Sequence, residues 1–280
     1  MKDIKSQQKG NLYIFITALL WSTGGILLKY VGLNAILTNG LRSLFGFFVF
    51  CIYRKRIKIQ LNKTIIAAAI CLTLTNVLYV AANKLTTAAN AIVIQYTAPI
   101  WVLIWNSIYH KKAPKFTELL AMILAFGGTV LFFFDGLSYE YMLGNLMSLF
   151  AGLCFSGVLF LNFLPSANSE ESSALGFALS FIICIPWLGG LFTTASDIVM
   201  SSLPVIAILG VFQVGLAYVF FSKGSRLTVP VTASLIGLLE AILNPTWVYL
   251  FYGEAMGRFA LIGAACILLG VVIQILTSKE

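Results

Sequence analysis

Two charged side chains lie deep within apolar stretches of this sequence. Arg42 is eight residues into one stretch, and Glu240 is eleven residues into another. In a helix these positions are about 12 Å and about 17 Å deep, close to the middle of a bilayer whose hydrocarbon half-thickness is about 15 Å. Ionised groups at that depth cost about 2.5–3.5 kcal/mol and are found paired or beside water. The sequence therefore predicts either an internal ion pair or a polar binding site.

The chemistry of these two residues suggests a class of ligand. An arginine can hold a carboxylate through two parallel hydrogen bonds, and a buried glutamate can hold an ammonium or carry a coupling proton. Together with nearby aromatic rings, this combination favours amino acids or related zwitterionic metabolites. A cationic amine in an aromatic cage with Glu240, or a nucleobase or drug-like aromatic stacked on the rings, is the alternative. Two structural interpretations stay open: Arg42 and Glu240 only pair with each other, or Glu240 serves a helix end.

Neutral polar and aromatic side chains recur at similar depths. Asn76 and Tyr79 share one helix face, as do Glu240, Asn244 and Trp247. A single buried amide commonly joins two helices, but convergence of many at one depth favours a cavity. We predict a substrate-binding site with Glu240 as the coupling residue; its members are Trp21, Arg42, Asn76, Tyr79, Gln95, Tyr96, Trp101, Gln213, Glu240, Asn244 and Trp247.

Two prolines interrupt apolar stretches near this depth. Pro99 and Pro245 each remove a backbone hydrogen bond, freeing the carbonyls of Gln95 and Ala241 respectively. A free carbonyl within a membrane is tolerated only beside protein or a water-filled cavity. Each proline therefore predicts a helix break that lines the site, although a plain kink would look the same in sequence.

Composition shows what holds these residues. Of 280 residues, 60% are hydrophobic and 10% are charged, against about 25% charged in a soluble domain. Apolar runs of about 20 residues indicate transmembrane helices. The pattern predicts an all-α membrane protein with ten spans: 11–30, 34–53, 63–82, 88–108, 116–134, 141–161, 172–193, 203–222, 229–251 and 257–277.

Basic residues lie mostly on one side of this arrangement. Of the 18 lysines and arginines, all but four fall at the termini or in loops after every second span. The positive-inside rule then places both termini in the cytoplasm of a multi-pass protein of the plasma or inner membrane. The net charge of +8 is explained by topology, so we expect lipid bilayer as the partner and no nucleic acid.

The two halves of the chain resemble each other. "GNLYIFITALLWS" at 10–22 matches "GNLMSLFAGLCFS" at 144–156, and "LTTAANAIVIQ" at 85–95 matches "LTVPVTASLIG" at 227–237. Trp105 then aligns with Trp247, and Gly128 with Gly270. Because five spans per half is odd, the second half must enter the membrane from the opposite face, as in many secondary transporters. We predict two inverted five-helix repeats, residues 1–136 and 137–280.

The chain resembles the EamA-type members of the drug/metabolite transporter superfamily. The resemblance rests on the five-plus-five layout, the Trp–Ser pair in the first span and "LLEAILNPTWVYLFYGE" at 238–254, which contains Glu240 and Glu254. In the first half, Lys112 stands where the repeat would place a glutamate. The resemblance implies a carrier of small organic solutes, most often an exporter.

Other classes of function find little support. The chain has one histidine, no P-loop signature and no metal-type cysteine spacing, so we expect no enzyme, catalytic residue, cofactor or metal. A channel or a flippase of lipid-linked substrates is less favoured than a carrier moving its solute by alternating access. The sequence leaves a homodimer open.

Overall fold

The structure is a computed structural model that describes residues 4–28, 30–86, 88–137, 140–253 and 257–278. Over these residues the chain is helical. The α-helices are α1 (Ile4–Ser22), α2 (Gly24–Leu28), α3 (Ala35–Arg54), α4 (Lys63–Leu85), α5 (Ala88–Gln95), α6 (Ala98–His110), α7 (Phe116–Phe132), α8 (Met142–Leu161), α9 (Ser169–Cys184), α10 (Gly190–Thr193), α11 (Ser196–Ile208), α12 (Ala217–Ser225), α13 (Pro230–Gly237), α14 (Leu239–Tyr252) and α15 (Ala260–Thr277). A π-helix, Leu209–Leu216, joins α11 to α12.

Much of this helix content is suited to a bilayer. Within the described residues, eight helical segments are long and apolar enough to cross a membrane: 4–28, 35–54, 63–82, 90–110, 142–161, 196–225, 230–251 and 260–277. Helix α7 is a shorter apolar helix of 17 residues. The prediction of an all-α multi-pass membrane protein is confirmed at this level.

The predicted span 172–193 differs from the structure. Helix α9 begins earlier and ends at Cys184, followed by a 3₁₀ turn over Ile185–Trp187 and the short α10. Pro186 is the physical reason, because proline has no N–H to continue the helical ladder. Glu254, which is part of the segment that carries the family resemblance, lies outside the described residues.

Helix caps agree with the local sequence. Asn34 and Asn62 precede α3 and α4, and each side chain accepts a hydrogen bond from the backbone N–H three residues later. Lys55 and Lys111 end α3 and α6 in the left-handed conformation, with φ values of 54° and 52°. These caps place basic residues directly after the helices.

Contacts group the loops at two ends of the helix bundle. At one end, Gln7 donates to the backbone carbonyl of Ser278 (3.1 Å), and Asn62 donates to that of Ser166 (2.9 Å). We call this the basic end; it comprises residues 4–13, 53–63, 111–115, 162–168, 220–229 and 274–278. At the opposite end, the backbone N–H of Gly32 donates to Ser202 (3.1 Å).

Ion pairs reinforce the basic end. Glu171, 1% exposed, accepts hydrogen bonds from Arg56 (2.6 Å) and from the backbone N–H of Gln60 (3.0 Å), and it pairs with Arg54 at 2.8 Å. This carboxylate therefore ties the loop after α3 to the start of α9.

Sequence-related residues of the two halves make related contacts. Trp105 donates to Ser156 (3.1 Å), and its counterpart Trp247 donates to Ser22 (2.9 Å). Each tryptophan is thus held by the serine of the other half.

A second set of related bonds repeats this exchange. Thr86 donates to Asn145 (2.7 Å), while its counterpart Thr228 donates to Asn11. The final helices of the halves, α7 and α15, pack closely because Gly128 faces the backbone of Gly263. The halves therefore interlock through equivalent positions.

Candidate functional site

A polar cavity lies between the two halves. Its volume is about 50 Å³, room for about four water molecules. A solute of amino-acid size would require it to widen. Five members of the predicted site line it: Tyr79, Gln95, Tyr96, Glu240 and Asn244. The predicted helix break Pro245 lines it as well, together with Ile92, Phe133 and Ala241.

Two helix breaks border the cavity at related positions. The first break falls at Tyr96–Thr97, between α5 and α6, and Pro99 sits in the first turn of α6. The second falls at Leu238, between α13 and α14. Leu238 is the counterpart of Tyr96 in the internal repeat, so the breaks are a property of the repeat.

The expectation that Pro245 breaks its helix is wrong. Helix α14 runs through Pro245 to Tyr252, because the helix on either side of a proline can continue when the lost bond faces a polar cavity. Pro245 has no N–H for the carbonyl of Ala241, and both residues line the cavity.

The carbonyl of Gln95 is beside protein, one of the two settings expected of a freed carbonyl. It lies against α8, where a Cβ placed on Gly152 would come within 2.7 Å of this oxygen. The side chain of Gln95 does line the cavity, and its Oε1 is buried with no hydrogen-bond partner among the described residues. Gln95 therefore offers the cavity a side-chain acceptor.

Glu240 is the carboxylate of the cavity. It is partly buried, and the hydroxyl of Tyr96 lies within hydrogen-bonding range of it. Arg42, Tyr79 and Tyr218 are near enough to form one electrostatic cluster with Glu240 and Tyr96. This arrangement can bind a cationic group or a proton.

Arg42 is held by neutral amides. Its Nε and Nη2 donate to Asn39 at 3.2 and 3.0 Å, and Nη1 donates to Gln213 at 3.4 Å. The ion pairs within 4.0 Å among the described residues involve Arg54, Arg56 and Arg226, and none joins Arg42 to Glu240. The interpretation of a direct Arg42–Glu240 ion pair is therefore not supported by the structure.

Gln213 connects Arg42 to the first helix. It lies in the π-helix, a conformation frequent at functional sites, and its Nε2 approaches the carbonyl of Trp21 at 3.5 Å. The ring of Trp21 packs against Phe155 and Tyr218, at centroid distances of 5.7 and 5.2 Å. Trp21 thus belongs to a packed aromatic cluster beside Arg42.

Six predicted residues are absent from the cavity lining: Trp21, Arg42, Asn76, Trp101, Gln213 and Trp247. Trp247 is bonded to Ser22, and Asn76 is not among the lining residues. Trp101 also lies outside the lining, although its indole Nε1 is buried without a hydrogen-bond partner among the described residues. The spacing on each helix face correctly indicated Tyr79 and Asn244 as cavity residues. The same spacing did not distinguish them from Asn76 and Trp247, which lie outside the lining.

Sequence reasoning missed Asn39 and the role of Tyr218. Asn39 precedes Arg42 by three residues, so the pair shares a helix face, and that spacing was the available signal. Tyr218 joins the cluster only through tertiary packing of α12. Its neighbours could not be read from local sequence.

The two short helices that enter the bundle are packed unequally. Helix α13, near the basic end, is buried over residues 231–236 and packs against α1, α6, α8 and α15. Its counterpart α5 packs against α8 and α4 and is partly exposed at Ile92, Ile94 and Gln95. The pair α5–α14, related to α6–α13, is not among the closely packed pairs of described helices. The cavity is therefore sealed more tightly toward the basic end.

Fold and site together define a multi-pass helical membrane protein that encloses a polar, charged cavity between two related halves. The sequence profile of the EamA-like transporter family matches the chain twice, over residues 8–134 and 142–276. The chain belongs to this family, and the resemblance noted from sequence is confirmed.

Relatives agree with that assignment. An uncharacterized transporter of Archaeoglobus fulgidus is 26% identical over 268 residues, covering 94% of this chain and 95% of that protein. The uncharacterized transporter YwfM of Bacillus subtilis is 27% identical over 284 residues, covering 95% and 94%. One solved structure has the same fold, with a TM-score of 0.82 and 17% identity over 97% of this chain and 98% of that chain.

Proposed function

We propose that this transporter exports an amino acid or a related zwitterionic metabolite across the plasma or inner membrane by alternating access. Its ten transmembrane helices form two inverted five-helix repeats, residues 1–136 and 137–280, with both termini in the cytoplasm. The observation that carries the choice of solute is the separate placement of Arg42 and Glu240 near one cavity.

Each charge is available for a different group of the solute. The bonds from Arg42 to Asn39 and Gln213 use three of its five N–H donors, which leaves two for a carboxylate. Glu240, with the hydroxyl of Tyr96 beside it, accepts the ammonium or carries the coupling proton. Tyr79, Gln95 and Asn244 complete the lining around the solute.

The unequal packing of α5 and α13 supports the proposal of alternating access. Because the halves are related, exchanging their packing would open α13 from α6 and close α5 on α14. The cavity would then connect to the basic end, where a cleft of about 500 Å³ lies between residues 106–118 and 228–231. In this scheme that cleft is the cytoplasmic entrance.

The solute class is tested by ligand-induced stabilisation of the purified protein. Amino acids, quaternary amines, nucleobases and sugars are added, and the unfolding temperature is measured. We expect amino acids to stabilise by about 2.7 kcal/mol at 100 times their Kd, and quaternary amines, which lack a carboxylate, to stabilise less.

Two variants of Arg42 make this screen specific. Arg42→Lys keeps the charge but loses the planar fork, so the concentration of amino acid that gives half of the stabilisation should rise. Arg42→Gln should remove the response. If a nucleobase stabilises the wild type and both variants equally, the proposed zwitterionic solute is wrong and the solute is an aromatic compound.

The topology has its own test. In a variant without native cysteines, Glu140→Cys should react with a membrane-impermeant maleimide from outside intact cells, and Ser166→Cys should not. Both residues are exposed, so burial does not explain a difference. Reaction of both from outside would contradict the odd number of spans per half.

A further inference from the structure

Two lysines at the basic end are held over aromatic rings. The ammonium of Lys9 lies 5.9 Å from the ring centroid of Tyr13. That of Lys223 lies 5.4 Å from the ring of Tyr53 and 5.7 Å from the ring of Phe220. These are the separations of cation–π contacts, which fix a lysine head group that would otherwise be mobile.

Three helices, α1, α3 and α12, carry this arrangement and form one surface. The rings of Tyr13 and Phe220 are 5.9 Å apart, and α1 packs along α12. Lys223 reaches across to Tyr53 near the end of α3. We call this surface the lysine groove: Lys9, Tyr13, Tyr53, Phe220 and Lys223.

The lysine groove has no ion-pair partner within the part of the chain that the structure describes. Glu170 contributes to the electrostatic surroundings of Tyr53, but it is paired with Arg226 at 2.7 Å. Among the described residues, neither Lys9 nor Lys223 has a carboxylate within 4.0 Å. These two positive charges can therefore attract an anionic group from outside the chain.

The surroundings place the groove at the bilayer surface. Exposed apolar side chains lie near it in sequence on α1 and α3, with Leu12, Phe15 and Ile52 exposed by 55%, 41% and 77%. Tyrosine is enriched where the hydrocarbon meets the head groups, and lysine extends its ammonium toward that level. A ligand here has a charged head beside Lys9 and Lys223 and an apolar body beside these side chains.

We propose that the lysine groove binds an anionic phospholipid, with the lipid phosphate between Lys9 and Lys223 and its acyl chains along Leu12, Phe15 and Ile52. Charge complementarity selects an anionic head group over a zwitterionic one, because only the former retains net negative charge for two ammonium groups. The proposal is independent of the solute that the central cavity takes.

The test uses the full chain purified in detergent, with phosphatidylglycerol or phosphatidylcholine added and bound lipids counted by native mass spectrometry. We expect the wild type to prefer phosphatidylglycerol. Lys9→Gln and Lys223→Gln should each weaken its binding roughly 5-fold, and the double variant about 30-fold. The matched control, Lys58→Gln/Lys63→Gln, removes two exposed lysines from the same end and should change binding less than about 2-fold.

Three results would overturn the proposal: equal binding of both lipids, an equal loss in the control, or saturation by inorganic phosphate alone. Lys9→Arg/Lys223→Arg keeps both charges and should keep the preference. If the glutamine variant does not fold, loss of the preference in this arginine variant would overturn the proposal as well.

Discussion

The two broken helices take the same place in the two halves yet supply different chemistry. The first break, at Tyr96–Thr97, presents neutral groups, Gln95 and Tyr96, to the cavity. The second, at Leu238, presents Glu240 and a proline-exposed carbonyl. The short helix before the first break is partly exposed, whereas the one before the second is buried over its central six residues.

This difference shows how a duplicated scaffold can become polarised. The repeat fixes where each helix is interrupted, while the side chains after each break are free to diverge. Helix α14 carries the charged residue of the cavity, and helix α5 is the more loosely packed of the two short helices. We therefore expect substitutions near the second break to affect solute or proton binding, and those near the first to affect packing and opening.

The largest effect is expected from Glu240→Gln, which preserves shape and removes the charge. Losing a charged hydrogen-bond partner should weaken solute binding about 10- to 100-fold. Transport into proteoliposomes measures this loss. If counterflow exchange is retained and proton-driven accumulation is lost, Glu240 carries the coupling proton. If both activities are lost, Glu240 binds the ammonium group of the solute.

Two variants test whether the position of this charge matters. The exchange Gln95→Glu/Glu240→Gln moves the carboxylate to the first break, and we expect transport to stay lost because Tyr96 and Arg42 are arranged around residue 240. We expect the double variant Arg42→Gln/Glu240→Gln to lack transport as well. Recovery in the latter would show that the two charges serve only each other. Asp197→Asn, an exposed change, is the control.

An intermediate effect is expected where α8 meets the first break. In Gly152→Ala the new Cβ would lie 2.7 Å from the carbonyl of Gln95 and 2.9 Å from Thr97. Such overpacking should lower the free energy of unfolding by about 1–3 kcal/mol, measured by thermal or denaturant unfolding in detergent.

A glycine at the second break supplies the contrast. No atom lies within 4 Å of a Cβ on Gly237 among the described neighbours. Gly237→Ala should therefore leave stability unchanged or raise it by up to about 1 kcal/mol. Equal destabilisation by both alanines would remove the distinction between the breaks.

The smallest effects separate the two prolines. Pro245→Ala restores the N–H that can bond the carbonyl of Ala241, worth about 1 kcal/mol, so the unfolding temperature should rise. Pro99→Ala should change it little, since Pro99 lies in a first turn where an N–H needs no helical partner. A larger change at Pro99 than at Pro245 would contradict this account.

Sequence alone predicted the multi-pass helical class, the carrier family and the first broken helix. Those features depend on local signals: apolar runs, a proline in the first turn of a helix and repeated motifs. Glu240 was identified as a cavity residue because an ionised group at that depth needs polar surroundings. The residue assignments as a whole remain predictions that the proposed experiments address.

What could not be predicted depends on tertiary packing. Pro245 reads like Pro99 in sequence, but α14 continues through it because its carbonyl partner faces the cavity. Arg42 and Glu240 read like an ion pair, yet Asn39 and Gln213 hold the arginine. The π-helix that positions Gln213 leaves no clear mark in residue type.

The two exchanged tryptophan–serine bonds can form only at different times during synthesis of the chain. Ser156 follows Trp105 by 51 residues, but Trp247 follows Ser22 by 225 residues. At about 5–20 residues per second, the first helix waits roughly 10–45 s for its partner. In the structure this serine also donates within its own helix, to the carbonyl of Leu19 at 2.7 Å. This local bond gives the nascent first helix a hydroxyl that is already satisfied in the membrane before the second half arrives.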